Sequence, residues 1–224
     1  MLAHGAARAA GRTSRWPQRF LWLVARLCGA RVEMRGRPLA ADVLFVANHL
    51  SWLDIPIIAG ATGTAFVARA DLRDWPVVGW LASLNATVFV DRGDRAGVNA
   101  QVDAVRAALA RHQPVAIFPE GTTSDGTTLL PFKPALLEVV APPPRAIRIQ
   151  PLYLDYGPAR TLAWIGDESA FANLRRVLGR PGRFSVRLDC LEPFDPVAFG
   201  DRKRVAAEAR QRILAASAGT LPSV

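Results

Sequence analysis

Residues 43–54 read Val43-Leu44-Phe45-Val46-Ala47-Asn48-His49-Leu50-Ser51-Trp52-Leu53-Asp54. Five consecutive apolar residues that end in a polar turn read as a strand buried on both faces, the kind found in parallel sheets. Pro56 follows shortly, and proline is best accommodated in a first helical turn. The stretch therefore reads as strand, turn, helix. Within a continuous helix His49 and Asp54 would point about 140° apart, so for their side chains to meet His49 must lie in the turn.

The same pattern recurs outward from this segment. Thr87 to Val90, Val115 to Phe118 and Ile147 to Tyr153 read as further buried strands. Phe184, Val186, Leu188 and Cys190 alternate with Ser185, Arg187 and Asp189, as in a half-exposed strand. Val98, Val102, Val105 and Leu109 fall at offsets of four, three and four, which marks an amphipathic helix, and Arg202 to Ala216 reads as a closing surface helix. Strands alternating with helices predict an α/β fold, a mixed, largely parallel sheet flanked by helices. Ligands in such folds bind beyond the carboxyl ends of the strands.

At 224 residues the chain suits one domain with a short appendage. Half of it is hydrophobic, yet no stretch approaches the ~20 uninterrupted apolar residues of a spanning helix. Cys28 and Cys190 match no paired spacing, which suggests a reducing compartment, and no His/Cys cluster supports a metal.

Of the formal charge of +9, residues 1–37 hold +7, from eight arginines against Glu33. Arg8, Arg12, Arg15 and Arg19 form one helical stripe, with Trp16, Phe20, Leu23 and Leu27 repeating its spacing one position on. Residues 1–38 thus read as a basic amphipathic membrane-associating segment that lies on a surface of anionic lipids, and residues 39–224 as the main domain. A disordered basic arm before an ordinary core helix is the alternative. A secretory signal peptide fits poorly, because Arg26 interrupts the apolar core and no clean cleavage site follows. Nucleic-acid binding also fits poorly, since the charge sits in one amphipathic arm and no nucleic-acid motif is present.

Three polar segments each follow a predicted strand: Asn48 to Asp54, Asp91-Arg92, and Pro119-Glu120-Gly121-Thr122-Thr123-Ser124. If the strands are parallel, all three converge on one sheet edge. Histidine accepts a proton near neutrality, and a carboxylate can fix its tautomer, so His49 with Asp54 is a candidate general base and orienter. The competing reading makes Ser51 an N-cap with Asp54 reaching back to it, and His49 a satisfied turn residue. Arg92 could instead bridge Asp91 or Asp94, Glu120 could cap the following turn, and Gly121 could simply supply a positive φ. Trp75, Trp80 and Trp164 read as core or interface aromatics.

These segments resemble the lysophospholipid acyltransferases of the glycerol-3-phosphate and 1-acylglycerol-3-phosphate type. Asn48-His49 through Asp54 looks like the NHxxxxD block, Phe89-Val90-Asp91-Arg92 like the second block, Phe118-Pro119-Glu120-Gly121-Thr122 like FPEGT, and Gln150-Pro151-Leu152 like the fourth. The ordered set is far more specific than any one block. The resemblance implies an acyltransferase domain over 39–224 in which His49 is the base and Asp54 orients it. It further implies that Arg92, Glu120, Gly121, Thr122, Thr123 and Lys133 contact the acceptor. The substrates would be a lysolipid and a thioester of acyl-carrier protein or CoA (acyl-ACP or acyl-CoA), with no cofactor and no metal. The enzyme would work at the cytoplasmic face of the inner membrane. Two positions depart from the pattern: Ala86 where glycine usually opens the second block, and Thr123 where arginine commonly follows FPEGT. The acceptor implied is 1-acylglycerol-3-phosphate or a related lysolipid; the second departure removes a bidentate phosphate ligand and makes lyso-ornithine lipid the alternative, although Arg92 or Lys133 could still bind a phosphate. A non-catalytic lipid-binding protein, which would not need His49 beside Asp54, is the alternative from another class.

Overall fold

The computed structural model describes residues 15–69, 87–90 and 95–218. Among them run α1 (Trp16–Leu27), β1 (Ala30–Arg35), β2 (Val43–Ala47), α2 (Asp54–Thr62), β3 (Ala65–Arg69) and β4 (Val88–Val90), followed by α3 (Arg95–Ala110), β5 (Val115–Ile117), β6 (Arg148–Asp155), α4 (Ala170–Leu178), β7 (Phe184–Cys190) and α5 (Arg202–Ser217). Three short 3₁₀ segments, at 134–140, 157–162 and 196–199, join them.

The strands form one seven-stranded sheet in the order β1-β7-β6-β2-β5-β3-β4. All neighbours are parallel except β6 and β7, which run antiparallel with Leu152 opposite Cys190. This is the mixed, largely parallel sheet expected from the sequence. Residues Ala30–Arg35 lie on the N-terminal side of the 38/39 boundary read from the sequence, and they enter the sheet as an edge strand on β7.

Central strand β2 shows why a continuous apolar run was needed. Val43, Phe45 and Ala47 face one layer, with Leu21 and Ala25 of α1 and Leu53, Ile57 and Ile58 around α2. Leu44 and Val46 face the other, with Val102, Val105 and Leu109 of α3 and Val205, Ala209 and Ile213 of α5. Successive side chains alternate faces, so a strand covered on both sides must be apolar throughout.

Helices α1 and α2 cross closely at Gly60. A Cβ there would stand 2.7 Å from Trp22 Cα and 2.8 Å from Trp22 N. Gln18 reinforces the crossing by donating from Nε2 to the Gly60 carbonyl at 3.2 Å. Leu23 and Leu27 point away from this contact and are 50% and 77% exposed. No helix among the described residues is long and apolar enough to cross a membrane.

Candidate active site

Strands β2 and β5 run parallel in one sheet, so the segments that follow them leave from the same edge. At the end of β2, Asn48 fixes the exit geometry. Its Nδ2 donates to the Leu154 carbonyl at 2.9 Å, and its Oδ1 accepts the Leu154 N–H at 2.8 Å. The amide acts as one more rung between β2 and β6, and this satisfies a buried polar side chain completely enough to hold the turn.

His49 follows, outside the helix. Its Nδ1 lies 2.7 Å from Asp54 Oδ2. Asp54 is the first residue of α2 and is fully buried. The same oxygen accepts the N–H groups of Leu50 at 2.7 Å and Ser51 at 2.9 Å, while Oδ1 accepts the Tyr156 hydroxyl at 2.6 Å. Four donors therefore satisfy a carboxylate that burial alone would penalise. The capping box read from the sequence does not form, because Leu53 and not Ser51 precedes the first helical residue and no side chain caps it; Asp54 still reaches back to the Ser51 N–H with the oxygen that engages the imidazole.

With a carboxylate as acceptor the Nδ1 of His49 carries the proton, and Nε2 is left with its lone pair. No described group hydrogen-bonds Nε2. The ring plane is held by Phe118, stacked at 4.0 Å between centroids and 9° from parallel. Phe66 stacks in turn on Phe118 at 5.6 Å. The His49 side chain is 19% exposed, so one edge of the imidazole meets solvent while the rest is clamped.

The third segment is tied to the first through its backbone. Glu120 is buried and spans two loops: Oε1 accepts the His49 N–H at 2.8 Å and Oε2 the Leu130 N–H at 3.0 Å. Burial raises its carboxyl above the usual carboxylate range, and these two backbone donors offset only part of that rise. Ser124 N–H donates to the His49 carbonyl at 2.8 Å. Gly121 turns the chain at φ +74, and a Cβ there would come within 2.9 Å of Lys133 Nζ. Thr122 is exposed, and Thr123 donates from its hydroxyl to the Trp164 carbonyl. Lys133 N–H returns to the Pro119 carbonyl at 2.8 Å.

Of the residues singled out from the sequence, His49, Asp54, Glu120, Gly121, Thr122, Thr123 and Lys133 thus stand together at one sheet edge. Arg92, with Asp91 and Trp75, lies outside the described residues, so its place in the site is not part of this geometry. Among the described residues no group of His, Cys, Asp and Glu could hold a metal ion.

Three contributors were not read from the sequence. Tyr156 is fully buried, and burial together with the Asp54 charge pushes its phenol well above the ordinary tyrosine value. It stands two positions beyond Leu154 and four beyond Leu152, and all three share the layer that covers α2. Counting by twos along β6 would have put its ring on that side. Asn48 belonged to a recognised block, but its long-range bond to Leu154 has no sequence signal. Trp164 N–H donates to the Leu50 carbonyl at 2.8 Å, which lays the 161–168 loop against the His49 turn.

Comparison with known proteins gives the family and the fold. Residues 31–155 match the family model described as Acyltransferase. The chain is 35% identical over 208 residues to a lyso-ornithine lipid O-acyltransferase of Pseudomonas aeruginosa, covering 89% of this chain and 78% of that one. A second enzyme of that name, from Rhizobium meliloti, is 35% identical over 220 residues, covering 89% of this chain and 74% of the relative. A 1-acyl-sn-glycerol-3-phosphate acyltransferase of Neisseria gonorrhoeae is 42% identical over 96 residues, or 43% of this chain and 38% of the relative. The crystal structure of a 1-acyl-sn-glycerophosphate acyltransferase from Thermotoga maritima superposes with a TM-score of 0.67 at 22% identity, covering 93% of this chain and 80% of that one, a likeness of fold. A family model matched over more than half of the residues, together with relatives this similar along most of their length, means that the chain belongs to the acyltransferase family.

Proposed function

We propose that the protein transfers a fatty acyl group from a thioester, acyl-ACP or acyl-CoA, to the free hydroxyl of a lysolipid. The observation that carries this reading is the His49–Asp54 pair, in which Nδ1 is held at 2.7 Å and Nε2 is left as the free base. The hydroxyl loses its proton to Nε2 as its oxygen attacks the thioester carbonyl carbon. Asp54 stabilises the imidazolium that forms. The tetrahedral intermediate collapses by breaking the carbon–sulfur bond, and the thiolate takes the proton back from His49. No acyl-enzyme and no cofactor is needed. General-base help is worth about 10²- to 10⁴-fold, so positioning and oxyanion stabilisation supply the remainder. The backbone N–H groups of Thr122 and Thr123 donate to no described group and are the candidates for that oxyanion.

For the acceptor we favour lyso-ornithine lipid. The relatives of that name match 89% of the chain, and Thr123 replaces a commonly occurring phosphate-binding arginine. A second acceptor, 1-acylglycerol-3-phosphate, is favoured by Lys133, whose ammonium lies across Gly121 at the same edge. In this scheme Glu120 and Gly121 shape the acceptor site, Arg92 joins it from the second block, and Thr122, Thr123 and Lys133 face the headgroup. The enzyme works peripherally at the cytoplasmic face of the inner membrane, held to anionic lipids by its arginine-rich N-terminal segment.

The test is a panel of lyso-ornithine lipid, lysophosphatidate and lysophosphatidylcholine against acyl-ACP and acyl-CoA. The expected product is diacylated ornithine lipid, and His49→Ala should remain folded with turnover reduced by about 10³-fold or more. Wild-type turnover in His49→Ala would remove the general base from the scheme.

A further inference from the structure

Helix α4 takes no part in the chemistry, yet it carries two opposed faces of different character. Its inner face is anchored. Asn173 Nδ2 donates to Glu168 Oε2 at 2.7 Å, Arg176 clamps Glu168 and the carbonyls of Thr161 and Ala163, and Val177 is buried. At 100° per residue, Phe171, Leu174 and Leu178 fall together on the opposite side. They are 73%, 37% and 57% exposed.

Along α4 and the chain that follows it the charge has one sign, although Glu33 shares the depression that Arg183 lines. From Ser169 to Leu188 the chain holds five arginines and no acid. Arg176 is committed to Glu168 and Arg187 to Asp189, whereas Arg175, Arg180 and Arg183 are exposed. Arg175 projects beside Phe171 on the helix, and Arg180 lies over the Phe184 ring at 5.4 Å, just beyond the helix end.

The chain that follows α4 meets the turn that follows α1. Phe184 N–H donates to the Gly29 carbonyl at 2.9 Å, joining the chain after α4 to the turn after α1. Arg183 lines a depression shared with Leu23 and Leu27. Inward, α4 reaches the site through one loop: Trp164 Nε1 donates to the Glu168 carbonyl at 2.7 Å, and Trp164 N–H to Leu50.

We propose that α4 is a second membrane-docking element, which enters an anionic bilayer surface with Phe171, Leu174 and Leu178 while Arg175, Arg180 and Arg183 meet lipid phosphates. Exposed apolar side chains flanked by unopposed guanidinium groups suit the interfacial plane, where acyl chains lie below and anionic headgroups above. A protein partner would have to supply a strongly acidic rim, whereas an anionic bilayer presents that charge everywhere. The choice of a bilayer rests on the reading of the acceptor as a membrane lipid. Docking through α4 and α1 together sets the protein down at two points, and the loop between α4 and Leu50 places the His49 turn close to the plane from which that acceptor arrives.

The experiment is sedimentation of the full chain with sucrose-loaded vesicles, either of phosphatidylcholine alone or with a third of the lipid replaced by phosphatidylglycerol. The triple variant F171S/L174S/L178S should partition onto the anionic vesicles about tenfold or more weakly, with circular dichroism and melting temperature unchanged. R175E/R180E/R183E should lose the preference for anionic vesicles. Unchanged partitioning of the serine variant overturns the proposal, as does a dimer in sedimentation velocity that the same variant dissolves while vesicle binding stays intact. Failure of the functional reading has its own signature. If no acceptor is acylated but vesicle binding still depends on Phe171, Leu174 and Leu178, the docking assignment stands without the enzymology.

Discussion

The Tyr156 hydroxyl donates to Asp54 Oδ1 at 2.6 Å while His49 Nδ1 occupies the other oxygen at 2.7 Å. A phenol from the end of β6 thus holds the far side of the carboxylate that orients the imidazole. Because its own proton is retained well above the ordinary tyrosine value of ~10, Tyr156 is a constant donor at any working pH. Tyr156→Phe leaves one oxygen of a buried carboxylate short of a partner, at about 1–3 kcal/mol. The expected outcome is a kcat about tenfold lower, equivalent to ~1.4 kcal/mol, with KM for donor and acceptor unchanged and the deficit constant from neutral to mildly alkaline pH. A raised KM instead would mean that Tyr156 shapes binding and does not position the base.

Asp54→Asn tests the charge apart from the scaffold. An asparagine oxygen facing His49, Leu50 and Ser51 would preserve those contacts, and its amide could donate to the Tyr156 oxygen. What is lost is the negative charge beside the imidazolium. We expect kcat to fall on the order of 10²-fold while thermal unfolding shifts little, and steady-state kinetics with differential scanning calorimetry would separate the two effects.

Much of this arrangement was legible because the pattern that buries a strand also exposes its end. Strand β2 occupies Val43–Ala47 and β7 occupies Phe184–Cys190, the same bounds the apolar run and the alternation predict. Parallel pairing of β2 and β5 then forces the polar segments that follow them to one edge, so the convergence of the His49 and Glu120 segments needed no coordinates. Strand β1 was hidden because only Ala30 of its six residues is buried, and Arg31, Glu33 and Arg35 read as part of a basic arm. Helix α4 was missed although Phe171, Leu174 and Leu178 repeat at helical spacing, because it runs only nine residues. The contacts of Tyr156 with Asp54 and of Asn48 with Leu154 span more than 100 residues, and only the sheet order brings those partners together.

Glu168 gives the pH dependence a defined sign. Hydrogen bonds from Arg176 and Asn173 hold its carboxyl down at about 2, below the ordinary glutamate value. A folded-state value below the unfolded one contributes stability that is present above the unfolded value of ~4.3, and that is lost as pH falls through about 2. Glu168→Gln should therefore lower the melting temperature at neutral pH, and the difference from wild type should shrink as both are acidified below pH ~4.3. Parallel melts at stepwise lower pH check this; an equal deficit at every pH would assign the loss to packing. The same loop carries Trp164, which bonds Leu50 and Thr123, so the variant should also lose activity before it loses its fold.

Gly60→Ala measures how closely α1 rests on α2. Alanine in a helix interior gains up to ~1 kcal/mol over glycine. Against this, the new Cβ meets Trp22 backbone atoms at 2.7 and 2.8 Å, which no rotamer change can relieve. Displacing a packed helix costs about 1–3 kcal/mol, so the clash outweighs the propensity. Urea denaturation should show a lower midpoint at unchanged slope. A stabilised variant would mean that α1 lies farther from α2 than this contact requires.

Thr123→Arg addresses the acceptor. Thr123 now spends its hydroxyl on the Trp164 carbonyl, at the edge where Lys133 crosses Gly121. A guanidinium there would add a forked donor beside the Lys133 ammonium, and bidentate pairing with phosphate is the interaction lysine cannot make. The rate on lysophosphatidate relative to lyso-ornithine lipid should rise by about tenfold, since a charge-assisted hydrogen bond contributes ~1.5–3 kcal/mol. The gain should appear in KM for the phosphate acceptor and leave kcat with His49 unchanged. If the ratio instead falls, the residue at 123 faces the acyl donor, and the headgroup must be read by the Lys133 side of the groove.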